Sequence, residues 1–96
     1  MSVYVDGALN AYGRMRMCHM IADDLDELLA MADRIGVARK WFQACPPASF
    51  PHFDIAQSKK RLALEAGAVD CTRRVFVEHM RRIRARFTND ARDEHD

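Results

Sequence analysis

The alternation of apolar and polar residues near the N-terminus predicts two β-strands. Residues 2–5 are mostly apolar and end at Asp6-Gly7, a dipeptide typical of turns. Residues 7–13 are expected to form a loop. From residue 14 to residue 21 the polarity alternates with a period of two, so one face of this second strand is apolar except for His19.

A period of 3.6 residues predicts three helices further along the chain. The first has Asp24 as its N-cap, with Glu27 three residues later, and it ends at Gly36. The second follows Asp54 as a cap and ends at Gly67. The third begins after an N-cap at residue 72 and repeats its apolar residues along one face as far as residue 87.

Two short strands are expected between these helices, which completes the predicted architecture. Residues 39–43 form one of them and residues 68–71 the other, while residues 45–51 hold all three prolines and continue neither type of element. The order is therefore β-β-α-β-α-β-α. Because single helices separate the later strands, right-handed crossovers are expected, and the fold class is α/β with a small, mostly parallel four-stranded sheet and three helices.

The length of 96 residues allows one domain, placed at residues 1–87, followed by an acidic, flexible tail at 88–96. The sequence contains no apolar run long enough to span a membrane and no secretory signal. Its three cysteines have no C-x-x-C spacing and are typical of free thiols in a cytoplasmic protein. A narrow sheet with exposed edges also favours a homo-oligomer.

Charge is distributed unevenly, although the formal net charge is only +1. Residues 57–86 contain nine basic and three acidic side chains, whereas both flanking regions are net acidic. This basic region either binds a phosphate-bearing partner or is a solvated helix face. Nucleic acid is the less favoured partner, because a pI of about 7.8 is low for a nucleic-acid-binding domain.

The densest polar cluster outside the predicted elements is His52-Phe53-Asp54. Its structural interpretation makes Asp54 a helix cap and His52 a loop residue. Its functional interpretation is a phosphate site, because the backbone N–H groups of a helix N-terminus would lie beside Ser58 and Lys59. His52 would then donate to the anion or transfer a proton.

His19 is open to two interpretations. On an apolar strand face it is either a hydrogen-bonded core residue or the third member of a site with His52 and Asp54. Two histidines and one carboxylate occur in some metal centres. No H-x-x-x-H or H-E-x-x-H spacing supports a metal here, so the sequence predicts neither a metal nor a cofactor.

Several short motifs give the sequence a family resemblance that extends over about residues 3 to 75. The motifs are Val3-Tyr4-Val5-Asp6, Gly13-Arg14 to Cys18-His19, Trp41-Phe42-Gln43, His52-Phe53-Asp54, Ser58-Lys59 and Ala66-Gly67-Ala68-Val69. Together they resemble a small domain family of bacteria and phages whose function is unknown. The family usually has Tyr at the position of Phe53, and many members have a second Asp at the position of Gly7.

The resemblance implies a shared polar site without assigning it an activity. The residues that it places in this site are Arg14, His19, Trp41, Gln43, His52, Asp54 and Lys59.

The sequence has no G-x-G-x-x-G, P-loop or G-x-S-x-G motif, which lowers the expectation of a dinucleotide enzyme, an NTPase or a serine hydrolase, respectively. Three functions are compatible with the remaining patterns. The first is a binding protein for a nucleotide or another small phosphate-bearing ligand, which could sequester a nucleotide signal if the gene is from a phage. In this case Trp41 or Phe53 would stack on the ligand. The expected ligand-binding residues are Arg14, His19, Trp41, Gln43, His52, Asp54, Ser58 and Lys59.

The second function is an acid–base enzyme acting on a phosphoester, with His19 or His52 paired to Asp54 or Asp6. The third is a nucleic-acid or protein adaptor that uses the arginines of the last helix, of which Arg74, Arg81 and Arg84 lie near one line.

Overall fold

The computed structural model describes residues 2–7, 10–12 and 15–95, with side chains described for residues 2–7 and 16–86. It contains five strands and three α-helices, which confirms the α/β class. In chain order the elements are β1 (Val3–Asp6), β2 (Asn10–Tyr12), β3 (Met15–Ala22), α1 (Leu25–Ile35), β4 (Phe53–Ala56), α2 (Gln57–Glu65), β5 (Val69–Cys71) and α3 (Arg73–His95).

The sheet is mostly antiparallel, so the predicted parallel sheet is wrong. The central strand β3 pairs antiparallel with β1, β2 and β4, and only the outer pair of β1 and β5 is parallel. The prediction assumed one crossover helix between successive strands. After α1, however, residues 36–52 form a long second connection, and β4 enters the sheet in the opposite direction to β3.

The third predicted strand is also wrong. Residues Arg39–Trp41 form a 3-10 turn, and Gln43 makes only an isolated antiparallel bridge with His52. The strand is β4 instead, where Phe53 and Ile55 alternate with Asp54 and Ala56. Pairing with β3 buries both apolar side chains and satisfies the backbone hydrogen-bonding groups, and this outweighs the helix-cap spacing at Asp54.

Two hydrophobic cores cover the two faces of the sheet. The core under α1 and α2 contains Cys18, Met20 and Phe53. The core under α3 contains Tyr4, Ile21 and Phe76. Because side chains alternate along β3, His19 lies on the α3 face of the sheet, between Cys18 and Met20, which point to the other face.

The predicted helix ends are confirmed where capping residues define them. The Asp24 side chain accepts a hydrogen bond of 2.8 Å from the backbone N–H of Glu27. Gly36 ends α1 with a φ of 80°. Thr72 Oγ1 accepts from the Val75 N–H at 3.3 Å, and α3 then continues through residues 88–95, which the sequence had suggested as a tail.

Within the described part of the chain, no helix is both long and apolar enough to cross a membrane.

Candidate functional site

The first two residues of the candidate site are Asp6, at the end of β1, and His19, at the centre of β3. Asp6, which is 5% exposed, accepts two hydrogen bonds from His19: one from the backbone N–H at 2.8 Å and one from ring Nδ1 at 2.8 Å. An ionised carboxylate only accepts, so the proton of this second bond lies on Nδ1. In neutral His19, Nε2 therefore carries a free lone pair.

The second histidine is oriented in the same way by a different acceptor. His52 is 7% exposed and directly precedes β4. Its Nδ1–H donates to the backbone carbonyl of Phe50 at 2.8 Å, which fixes the tautomer and leaves Nε2 as the unprotonated nitrogen of the neutral ring.

Asp54 on β4 lies opposite His19 in the register of the sheet. Its Oδ2 accepts a hydrogen bond of 2.6 Å from the Gln43 side-chain amide. Its Oδ1 lies 3.7 Å from His19 Nε2 and 3.5 Å from His52 Nε2. Asp54 thus directs one oxygen toward both imidazoles.

Electrostatics and aromatic packing shape the site around His19. The hydrogen bond to Asp6 raises the pKa of His19, and burial opposes this rise by disfavouring the charged ring. The ring of Phe50 stacks on His52 with centroids 4.4 Å apart. Phe76 of α3 lies 6.1 Å from the His19 ring, so aromatic side chains border one side of the cluster.

The cysteines lie outside this chemistry. Cys18, Cys45 and Cys71 are all free thiols. Burial raises the pKa of Cys18 to about 11 and also raises that of Cys71. Neither buried thiol is therefore an activated nucleophile at neutral pH.

Four of the eight predicted ligand-binding residues come together: His19, Gln43, His52 and Asp54. The structure does not bring Lys59 to them. Its ammonium lies 3.3 Å from the place that a Cβ of Gly36 would occupy, in the layer of α1 on the other face of the sheet.

The remaining residues that were predicted to bind the ligand also do not join the cluster. Ser58 is exposed on the first turn of α2, and Trp41 is 62% exposed on the 3-10 turn. Phe53 is fully buried against Phe42, so it is not available to stack on a ligand. Arg14 lies outside the described residues.

Sequence reasoning missed Lys60 and Phe50. Lys60 Nζ donates to the backbone carbonyl of Asp6 at 3.0 Å and lies 3.2 Å from Asp70 Oδ1. Helical spacing could have identified Lys60, because it precedes the buried Ala63 of α2 by three residues and shares its face. No sequence signal identifies Phe50, which acts on His52 through its backbone carbonyl.

The arginines of α3 divide into two groups. Arg82 donates to Asp23 Oδ1 at 2.8 Å, and Arg86 donates to the Asp23 carbonyl at 3.3 Å, so both attach α3 to the sheet. Arg74 and Arg81 line an open groove together with Arg73, Val77 and Glu78. This groove is the part of α3 that fits the predicted adaptor surface.

The fold and the cluster together define the class: a small mixed-sheet α/β domain with a histidine–carboxylate site between its central strand and β4. The chain belongs to the DUF4031 family, described as a protein of unknown function, whose profile matches residues 3–83. This confirms the resemblance to a domain family without an assigned function. No curated protein and no solved structure matches this chain.

Proposed function

We propose that this protein is a hydrolase that acts on a phosphoester at the cluster of His19, His52 and Asp54. The observation that carries the proposal is that one acceptor atom from each of these residues lies within 4.8 Å of the other two, with Asp54 Oδ1 at 3.7 Å and 3.5 Å from the two imidazole Nε2 atoms. Such a cluster binds and activates a water molecule, because each atom offers it a lone pair.

The reaction is a single displacement at phosphorus. The water oxygen forms a new P–O bond, and the bond from phosphorus to the ester oxygen breaks. The proton of the water passes to bulk solvent through the side where Asp54 is 38% exposed, and the leaving oxygen takes up a proton from solvent. A phosphoester is the favoured substrate class because residues 57–86 carry nine basic and three acidic side chains, which attract an anionic substrate to the domain.

Simple binding of an anion is less favoured by the local charges. Asp54 and Asp6 place two carboxylates in the cluster, and Lys59 lies on the other face of the sheet. A phosphate group held there in a stable complex would meet like charges unless a cation compensated them, whereas a hydrolase does not need tight binding of the ground state. The binding protein, which the sequence favoured first, therefore becomes the second candidate.

Hydrolysis of bis(p-nitrophenyl) phosphate, p-nitrophenyl phosphate and a nucleotide panel tests the proposal. We expect Asp54→Asn and His19→Asn to lower kcat by about 100-fold or more, within the range of lost acid–base groups. His79→Asn is the matched control, because His79 stacks on Tyr4 at 3.9 Å, away from the cluster. Its kcat should equal that of the wild type.

Two results would overturn the hydrolase. One is a full panel without turnover by the folded wild type. The other is a nucleotide that raises the thermal midpoint and is recovered intact after long incubation, a result that favours the binding protein.

A further inference from the structure

When both imidazoles are neutral, the cluster contains three lone-pair atoms and no donor among them. Asp6 accepts a hydrogen bond from Nδ1–H of His19, and the Phe50 carbonyl accepts one from Nδ1–H of His52. Each neutral imidazole carries one N–H, so both Nε2 atoms face Asp54 Oδ1 without a proton. Three acceptors that face each other repel unless a cation lies between them.

The two distances from Asp54 Oδ1 to the imidazoles fit a metal ion better than direct hydrogen bonds. Asp54 Oδ1 lies 3.7 Å from His19 Nε2 and 3.5 Å from His52 Nε2. An N–H···O hydrogen bond is shorter, at about 2.7–3.2 Å. Tetrahedral Zn²⁺ with bonds near 2.0–2.1 Å separates its ligand atoms by about 3.4 Å, close to both distances.

The groups behind the ligands match what metal sites require. Metal-binding histidines usually donate their second ring N–H to a carboxylate or a backbone carbonyl, and ligating carboxylates are themselves hydrogen-bonded. Here Asp6 holds His19, the Phe50 carbonyl holds His52, and the Gln43 amide holds the second oxygen of Asp54. All three candidate ligands are therefore oriented before any ion binds.

We propose that His19 Nε2, His52 Nε2 and Asp54 Oδ1 bind one divalent transition-metal ion of the zinc type. Two imidazoles and one carboxylate favour such an ion over Mg²⁺ or Ca²⁺, which prefer oxygen ligands throughout. The described residues supply three ligands, and the fourth position is left to water, as in hydrolytic zinc sites.

The role of the metal ion rests on the proposed hydrolase, because the ion would be the group that activates the attacking water. A water on Zn²⁺ loses its proton to solvent near neutral pH. The resulting hydroxide forms the P–O bond, the ester oxygen leaves with its bonding electrons, and solvent protonates it. The ion also offsets the two carboxylates and allows a phosphate group to approach.

Metal binding is measured without turnover. The chain is stripped with EDTA, dialysed and titrated with ZnCl₂ by calorimetry, and with CoCl₂ by visible absorption. We expect one ion per chain and the d–d bands of tetrahedral Co²⁺. Asp54→Asn removes a ligand and should weaken Zn²⁺ binding more than about 100-fold. Asp6→Asn removes only the residue that orients His19, and it should weaken Zn²⁺ binding by about 10- to 100-fold.

The matched control is His79→Gln, which removes a histidine outside the cluster and should leave the affinity unchanged. A measurement on the wild type covers the case in which Asp54→Asn does not fold. In ¹⁵N NMR spectra, Zn²⁺ should shift the Nε2 signals of His19 and His52 and leave those of His79 in place.

The inference is wrong if the folded wild type binds no Zn²⁺, if Asp54→Asn binds it equally well, or if the Nε2 signals do not move. Hydrolysis that persists in EDTA would also overturn the metal while supporting the hydrolase. One bound Zn²⁺ without hydrolysis of any ester would support the metal site and overturn only the proposed function.

Discussion

At the scale of single residues, Asp6 organises the candidate site. Its carboxylate is nearly fully buried, and a buried charge is tolerated only where it is paired and hydrogen-bonded. The backbone and the ring of His19 both donate to this carboxylate, while Lys60 donates to the backbone carbonyl of Asp6. The same contacts therefore satisfy a buried acid and turn Nε2 of His19 toward Asp54.

The pKa of His19 tests this pairing. Since the hydrogen bond to Asp6 is the main cause of its raised pKa and burial opposes it, Asp6→Asn should lower the pKa of His19. We expect this shift in a histidine NMR titration of the protein in EDTA. Asp26→Asn, a change on the exposed face of α1, is the control and should not move it.

The same substitution has a defined effect on stability. A raised folded pKa stabilises the protein fully below the unfolded pKa of about 6.5, and this contribution is lost as the pH rises through the folded pKa. Asp6→Asn should therefore lower the free energy of unfolding more at pH 6 than at pH 9 in urea titrations. An equal loss at both pH values would contradict the ion pair.

At the scale of elements, α1 is the helix whose two ends are both defined by capping residues. Asp24 caps its first turn, and Gly36 ends it in the left-handed region, with the backbone N–H of Val37 donating to the Ala32 carbonyl at 2.8 Å. Lys59 Nζ lies 3.3 Å from the position that a Cβ would take at this glycine. The position therefore combines a special backbone conformation with close packing.

Replacing Gly36 tests how much this helix end contributes. A φ of 80° disfavours any residue with a Cβ, and the added methyl group would meet Lys59 Nζ at 3.3 Å. Gly36→Ala should lower the free energy of unfolding by about 1–2 kcal/mol. Gly7→Ala, where a Cβ meets nothing within 4 Å, should change it by less than about 0.5 kcal/mol in the same urea titrations. Equal effects would contradict the assignment.

At the scale of the whole molecule, the sheet separates two cores of different composition. Helices α1 and α2 cover one face, and α3 covers the other together with Phe50 of the long connection. Ile83 of α3 is 2% exposed in this second core. Asp23 links α3 to the sheet through Arg82, and Phe76 brings the same helix to His19. Packing of α3 therefore supports both the fold and one wall of the site.

Truncation at the α3 core tests this arrangement. Ile83→Ala removes buried methyl groups and should lower the free energy of unfolding by about 2–4 kcal/mol. Val75→Ala, on the same helix but 40% exposed, should change it by less than about 0.5 kcal/mol. Similar urea midpoints for both variants would show that the packing of Ile83 between α3 and the sheet does not stabilise the protein.

Local signals predicted the elements whose own residues determine them. Asp24 and Gly36 define α1, Thr72 opens α3, and the alternation around His19 locates β3, because capping and periodicity act over a few residues. The prediction failed at residues 39–43 and at Asp54, where pairing with a distant strand decides the structure. Propensity alone cannot identify such a partner.

By itself, therefore, the sequence determined the α/β class and the bounds of α1, and it named His19, His52 and Asp54 as candidates for one polar site. Only the tertiary structure decided that β3 and β4 run antiparallel with His19 opposite Asp54, that Asp6 orients the imidazole and that Lys59 faces away. The physical reason is that strand direction and register depend on contacts between residues far apart in the chain, whereas caps and periodicity are local.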